Sequence, residues 1–189
     1  MKKFIIMTII ITLIATSSCI QAKQISGIEM PNKLKIGNTE LVLNGAGVRE
    51  KFFLDLYVGG LYLIKKQNNP LTIINSKEDM SIRLHIVSGM ITSKKMKNAV
   101  NEGFENSTND NITPIKKQID EFIAVFKDEI NKGDIFEMTY VDSVGTEISK
   151  NGKVSKIVEG MNFKKALFGI WLCNDPAQES LKEEMLGKD

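Results

Sequence analysis

Leu43-Asn44-Gly45-Ala46-Gly47-Val48-Arg49-Glu50-Lys51-Phe52-Phe53 runs directly into Leu54-Asp55-Leu56-Tyr57-Val58-Gly59-Gly60-Leu61-Tyr62-Leu63, and this stretch decides the fold. Its second half alternates: Phe52, Leu54, Leu56 and Val58 are apolar, with Asp55 and Tyr57 between them. Period two marks a strand with one buried face, which predicts a strand over 52–64. Gly59-Gly60 interrupts it and predicts a bulge or the close approach of another group. Upstream, two short strands, 33–36 and 39–43, flank the tight-turn dipeptide Gly37-Asn38. The segment 44–47 is predicted to connect them to the long strand.

Downstream, 81–87 repeats the alternation, with Ile82, Leu84 and Ile86 on one face and Arg83 and His85 on the other. The period then changes. Thr92 or Ser93 caps a helix whose apolar positions are Met96, Ala99, Val100, Gly103 and Phe104. Thr113 caps a second, with Pro114 at its first position, a stripe from Ile115 to Ile130 and Gly133 closing it. Alternation returns at Phe136, Met138 and Tyr140. Asn151-Gly152 then joins 146–150 to 153–158, the strongest hairpin signal in the chain. A helix carrying Phe163, Ala166, Leu167, Ile170 and Trp171 follows, and Asp175-Pro176 begins a short last one. Strand runs alternating with helix pairs imply a mostly antiparallel sheet with helices on one face, an α+β fold.

The N-terminus has the three parts of a secretory signal: Lys2-Lys3, the apolar run 4–15, and a small polar segment ending at Ala22. That run is shorter than the roughly 17–25 residues a spanning helix needs. Cleavage after Ala22 is expected, leaving 23–189 as one domain, periplasmic or secreted, without stable membrane insertion. Cys19 after Thr16-Ser17-Ser18 offers a rival reading, a lipoprotein site. Without Lys2 and Lys3, basic and acidic residues balance at 23 each, and no basic cluster suggests nucleic-acid binding. Cys173, the one cysteine of the mature segment, reads as a small buried side chain.

The chain lacks a P-loop, a nucleophile elbow, H-E-x-x-H and C-x-x-C. One histidine excludes a His-rich metal site, and His85 reads as a structural or surface residue. Arginine is scarce: only Arg49 and Arg83 stand among 25 basic residues, the rest being lysines. A chain that uses lysine for surface charge can reserve arginine for a planar, multi-donor cation. Arg49, where the glycines meet the long strand, fits either a structural ion pair or an anionic headgroup at the mouth of an apolar pocket.

The stretch quoted above resembles the chalcone isomerase-like family, in its secreted bacterial branch. Gly152, Glu159-Gly160 with Phe163, Ala166-Leu167-Phe168-Gly169-Ile170-Trp171-Leu172 and Lys182 to Gly187 continue the resemblance, in order, over essentially all of 23–189. It implies an open-faced sandwich, a large antiparallel sheet under one layer of helices, with a ligand cleft between. In the plant isomerases the arginine of this block steadies an oxyanion as a hydroxychalcone closes. In plastid fatty-acid-binding members it holds a carboxylate together with a tyrosine. Arg49 carries over in both cases; Tyr57 or Tyr62 is the expected hydrogen-bond donor, and Asn101 matches an active-site asparagine. This chain has Tyr57 where the isomerases have a threonine, and no tyrosine in the first helix. The expectation is therefore a non-catalytic binder of a small amphipathic anion such as a fatty acid, with no catalytic residue, metal or cofactor. An intramolecular lyase of chalcone isomerase type and a structural envelope protein without ligand are the alternatives.

Overall fold

Alternation and tight turns lay down the strands of the computed structural model, which describes residues 23–188; the predicted signal and Cys19 lie outside the described residues. A small hairpin, β1 (Lys23–Ile25) and β2 (Ile28–Met30), comes first. There follow β3 (Lys33–Ile36), β4 (Thr39–Lys51), β5 (Leu54–Leu63), β6 (Met80–Ile86), β7 (Ile135–Val141), β8 (Gly145–Lys150) and β9 (Lys153–Val158). These seven form one antiparallel sheet in sequence order, β3 to β9. The helices are α1 (Pro70–Asn75), α2 (Ser93–Thr108), α3 (Lys116–Ile123), α4 (Met161–Leu172) and α5 (Glu179–Met185), with 3-10 turns on either side of α3.

The predicted α+β architecture stands, helices over one sheet face. Its core gathers Leu61, Ile82, Leu84, Phe136 and Ile148 from the sheet with Phe104, Phe122, Phe163 and Leu167 from the helices. Phe122 is the hub of an edge-to-face cluster, 5.9 Å from Phe104 and 5.3 Å from Phe126 between ring centres. The other face is not wholly open. Met30 seals Leu41, Leu43, Ala46, Val58 and Tyr62 into a second, smaller core. β5 from Tyr57 to Leu63 is therefore buried on both sides.

Several expectations are corrected. The segment 44–47 belongs to β4, with Asn44 as the extra residue of a bulge between Leu43 and Gly45. Gly59-Gly60 makes no bulge and stays in register opposite Gly47 and Ala46, while the close approach holds at Gly60, where a Cβ would meet the Met30 side chain. The turn lies at Phe52-Phe53, so the long strand starts at Leu54. The stripe from Ile115 breaks after Lys127, leaving Ile130 buried beyond the helix. Ala99 is exposed. The last helix starts at Glu179 rather than at Asp175-Pro176. β1–β2 and α1 have no counterpart in the sequence reading. Thr92 does cap α2, accepting from the Lys95 N–H at 3.3 Å.

α4 lies between α1 and α2 and buries almost every residue from Phe163 to Leu172, Lys164 included. The Lys164 ammonium donates to the carbonyls of Ile73, Ile74 and Ser76, at 3.1, 3.0 and 2.8 Å. These oxygens lie at the helix end, where carbonyls run short of partners, and among the described residues only Ile73 has a further one, the Ser76 N–H, so Lys164 closes α1 from the α4 side. It also sits over the rings of Tyr140 and Phe168. Burial brings its pKa down to about 8.

Candidate anion site at the seam of β4 and α5

Cross-strand pairing places Arg49 directly opposite Tyr57. Tyr57 belongs to the helix-side core, and directly paired residues share a face, so both belong to that side. Tyr57 is 8 % exposed, whereas Arg49 is half-buried at the margin. The Tyr57 hydroxyl accepts a hydrogen bond from the Trp171 indole N–H at 3.0 Å. Its own proton remains available to an acceptor. Burial holds the Tyr57 pKa up against that bond and the Arg49 charge, so the hydroxyl stays protonated and able to donate.

The Arg49 guanidinium makes no ion pair among the described residues. One of its terminal nitrogens donates to the Glu50 carbonyl at 2.7 Å and to the Gln178 side-chain oxygen at 2.8 Å. A guanidinium has five N–H donors, so donors remain for an anion. Gln178 itself behaves like a fragment of a strand. It accepts from the Glu50 N–H at 2.9 Å and donates to the Val48 carbonyl at 3.2 Å, across the second bulge of β4.

The glycines answer to the chain's own C-terminus. A Cβ on Gly45 would run into the main-chain oxygens of Glu184 and Met185 and the nitrogen of Gly187. One on Gly47 would meet the Glu184 carboxylate, which accepts from the Val48 N–H at 3.2 Å. The Asn44 amide donates to the Met185 carbonyl at 2.9 Å and accepts from the Gln67 N–H at 2.8 Å. Residues 44–50 are thus a seat for α5. These two glycines admit a close approach, and what approaches is a helix about 140 residues further along.

The remaining candidates do not join Arg49. Tyr62 lies on the opposite face of β5 in the smaller core, its hydroxyl buried and without a partner among the described residues, so the sheet separates the two. Asn101 is exposed on α2, away from the buried stripe of Met96, Val100 and Phe104. Arg83 is paired with Glu137 at 3.1 Å. His85 is half-buried on the face it shares with Arg83, and burial lowers its pKa. Cys173 is half-buried rather than buried, and desolvation pushes its thiol up, away from reactivity. Sequence reasoning missed Gln178 and Trp171 as partners of the arginine and tyrosine. Trp171, the single tryptophan, was visible only as part of an apolar stripe.

A cavity of about 480 Å³ opens beside the seam, lined by Asn44, Gly45, Lys66, Gln67, Leu186 and Gly187. A second, about 470 Å³, lies at α1, lined by Lys65, Thr72, Ser76 and Asp79 among others. Arg49 and Tyr57 line neither. Among the described residues no cluster of His, Cys, Asp and Glu could hold a metal ion, and no helix is long and apolar enough to cross a membrane.

Chemically, a cation and a protonated phenol on one face can hold a carboxylate. No curated protein sequence matches the chain. Among solved structures it is similar to a fatty-acid binding protein of Arabidopsis thaliana, with a TM-score of 0.70 at 17% identity, over 88% of this chain and 96% of that one. At that identity the likeness speaks for the fold. The model of the family described as chalcone isomerase-like matches residues 22–187. The sheet of seven strands under its helices, and a family match over nearly the whole length, place this chain in the chalcone isomerase-like family.

Proposed function

We propose that this protein binds a small amphipathic anion, a fatty acid or a related lipid, without catalysis. The observation that carries the reading is the Arg49–Tyr57 pair. Among the described residues Arg49 carries no carboxylate partner, and Tyr57 keeps a proton to donate. Gln178 now presents a neutral amide oxygen where an anion would sit, so a ligand carboxylate replaces it at the guanidinium. The apolar tail then follows the helix side of β5, past Leu181 and Leu84, as α5 eases from its seat. The fatty-acid binding described for the Arabidopsis protein agrees with this reading. Tyr62, buried across the sheet, and Asn101, exposed on α2, take no part. We further propose export through the N-terminal signal, with the mature chain beginning at Lys23; the intact mass of the exported protein tests this, and a lipid-modified Cys19 at its N-terminus would replace it.

The deciding experiment is calorimetric titration with long-chain fatty acids. A charge-assisted hydrogen bond is worth about 1.5–3 kcal/mol, so Arg49→Ala should weaken binding about ten- to hundredfold. Tyr57→Phe should cost less, and Arg49→Lys should recover only part of the loss, since an ammonium lacks the fork. Unchanged affinity in a well-folded Arg49→Ala protein would overturn the reading. The occupation of residues 44–50 by α5 favours a second reading, a structural protein with a filled site. In that case fatty acids do not bind, and Arg49→Ala lowers only the melting temperature.

A further inference from the structure

The tip of the β4–β5 hairpin is built against every local preference. Phe52 and Phe53 form its two-residue turn with φ of +53° and +62°. Two-residue hairpin turns with both central φ positive favour Asn-Gly or Asp-Gly, and a bulky residue in that region is rare. Phenylalanine usually offsets such strain by burial. Here Phe52 is 82 % exposed and Phe53 fully exposed. Leu54, beside them, is 45 % exposed. Backbone strain and apolar exposure therefore fall on the same two residues, and the folded monomer gains nothing from either.

We propose that this tip is a docking element for an anionic lipid bilayer surface, with Phe52 and Phe53 entering the interfacial layer. The shape selects the occupant. The β5–β6 ladder reaches only to Tyr57, β3 pairs with β4 only as far as Val42, and the α5 seat ends at Glu50, so the last pair of the hairpin and its turn protrude as a convex aromatic end. A convex tip has no groove for a peptide and too little area for a stable protein interface, whereas a bilayer closes around it. Charge agrees. Lys51 holds its ammonium 5.8 Å from the Phe52 ring, at the level where headgroup phosphates would lie. At the same end of the sheet, Lys95 donates to the carbonyl of the half-exposed Met90, and Lys94 is exposed beside it. The hairpin's two acids near the tip, Asp55, which accepts from Ser26, and the exposed Glu50, offset Lys51 and Arg49, so the positive excess comes from Lys94 and Lys95. Arg49 stands three residues up the strand, about 10 Å from the turn at the usual rise. Tip insertion reaches about 5–10 Å. Docking would therefore bring the proposed anion anchor to the plane of the headgroups.

The docking stands on the tip alone and needs no bound ligand, so it can fail or hold independently of the fatty-acid reading. The probe is cosedimentation of residues 23–189 with phosphatidylethanolamine–phosphatidylglycerol vesicles, with phosphatidylcholine vesicles as the neutral arm. The double variant Phe52→Asn/Phe53→Gly installs the residues the turn prefers, so a folding defect does not explain a loss. We expect it to melt higher than the wild type while its vesicle partitioning falls about tenfold or more. Lys51→Ala should reduce binding to the anionic vesicles only. The proposal is overturned if the wild type ignores the anionic vesicles, if the double variant binds them equally well, or if sedimentation shows the tip consumed in a dimer that the double variant abolishes.

Discussion

Two hairpins of this sheet turn through the same backbone conformation with opposite chemistry. β8–β9 turns on Asn151-Gly152, with φ of +53° and +75°; β4–β5 turns on Phe52-Phe53, with φ of +53° and +62°. The first uses the residues that tolerate positive φ, and its Asn151 also accepts from the Ile135 N–H at 2.7 Å and donates to Asp134 at 2.8 Å. The second has no such local support. Its register is imposed from its flanks, by the bulges of β4, by the α5 seat and by burial of β5 on both faces. A turn of two positive-φ residues can thus arise from local preference or from distant packing, and only the first is read directly from two residues.

The largest effect should come from breaking the distant packing. Gly45→Val puts a branched side chain against main-chain atoms of Glu184, Met185 and Gly187, which cannot rotate away. We expect a loss of about 3 kcal/mol in urea unfolding, with hydrogen exchange rising in α5 and β4 but not in β8–β9. Gly47→Ala should cost about 2 kcal/mol, because the Glu184 carboxylate can swing aside but its Cβ, 2.8 Å from the new methyl, moves only with α5. Exchanging the turns sharpens the comparison at the next level. Placing an L-residue in the left-handed region costs about 1–2 kcal/mol. Asn151→Phe/Gly152→Phe should therefore lower the melting temperature by roughly 4–8 °C, and Phe52→Asn/Phe53→Gly should raise it by a similar amount. Gln178→Ala, which removes only the side-chain bonds holding the end of β4, should cost about 1 kcal/mol. It should also tighten fatty-acid binding by freeing Arg49, the opposite sign to its effect on stability.

The pattern of successes and misses follows the range of the interactions. Asn151-Gly152, the Thr92 cap of α2 and the alternation of β7 are legible because each is settled within a few residues. Asn44–Gly47 reads as a connection and not as strand interior, since its glycines answer to α5, far along the chain. The turn at Phe52-Phe53 was hidden because both residues argue for continuing the strand. Past Tyr57 the alternation loses its contrast, with β1–β2 covering one face and helices the other. For that reason Tyr57 and Tyr62, an odd number of residues apart on one strand, could not be assigned to a side. Arg49 was identified by its scarcity and by the motif around it; its neutral partner Gln178, 129 residues away, had no signature in the chain.

Lys164 turns one detail of packing into a chemical reporter. An amine with a pKa near 8 is far richer in the nucleophilic free base at neutral pH than an ordinary lysine. Yet it is fully enclosed, with three carbonyls on its protons and two rings above it. Acylating reagents can reach it only while α1 is lifted from α4. Among the many surface lysines, this one would be modified last and at the rate of that opening, so a timed labelling experiment read by mass would clock the detachment of a single six-residue helix without any introduced probe.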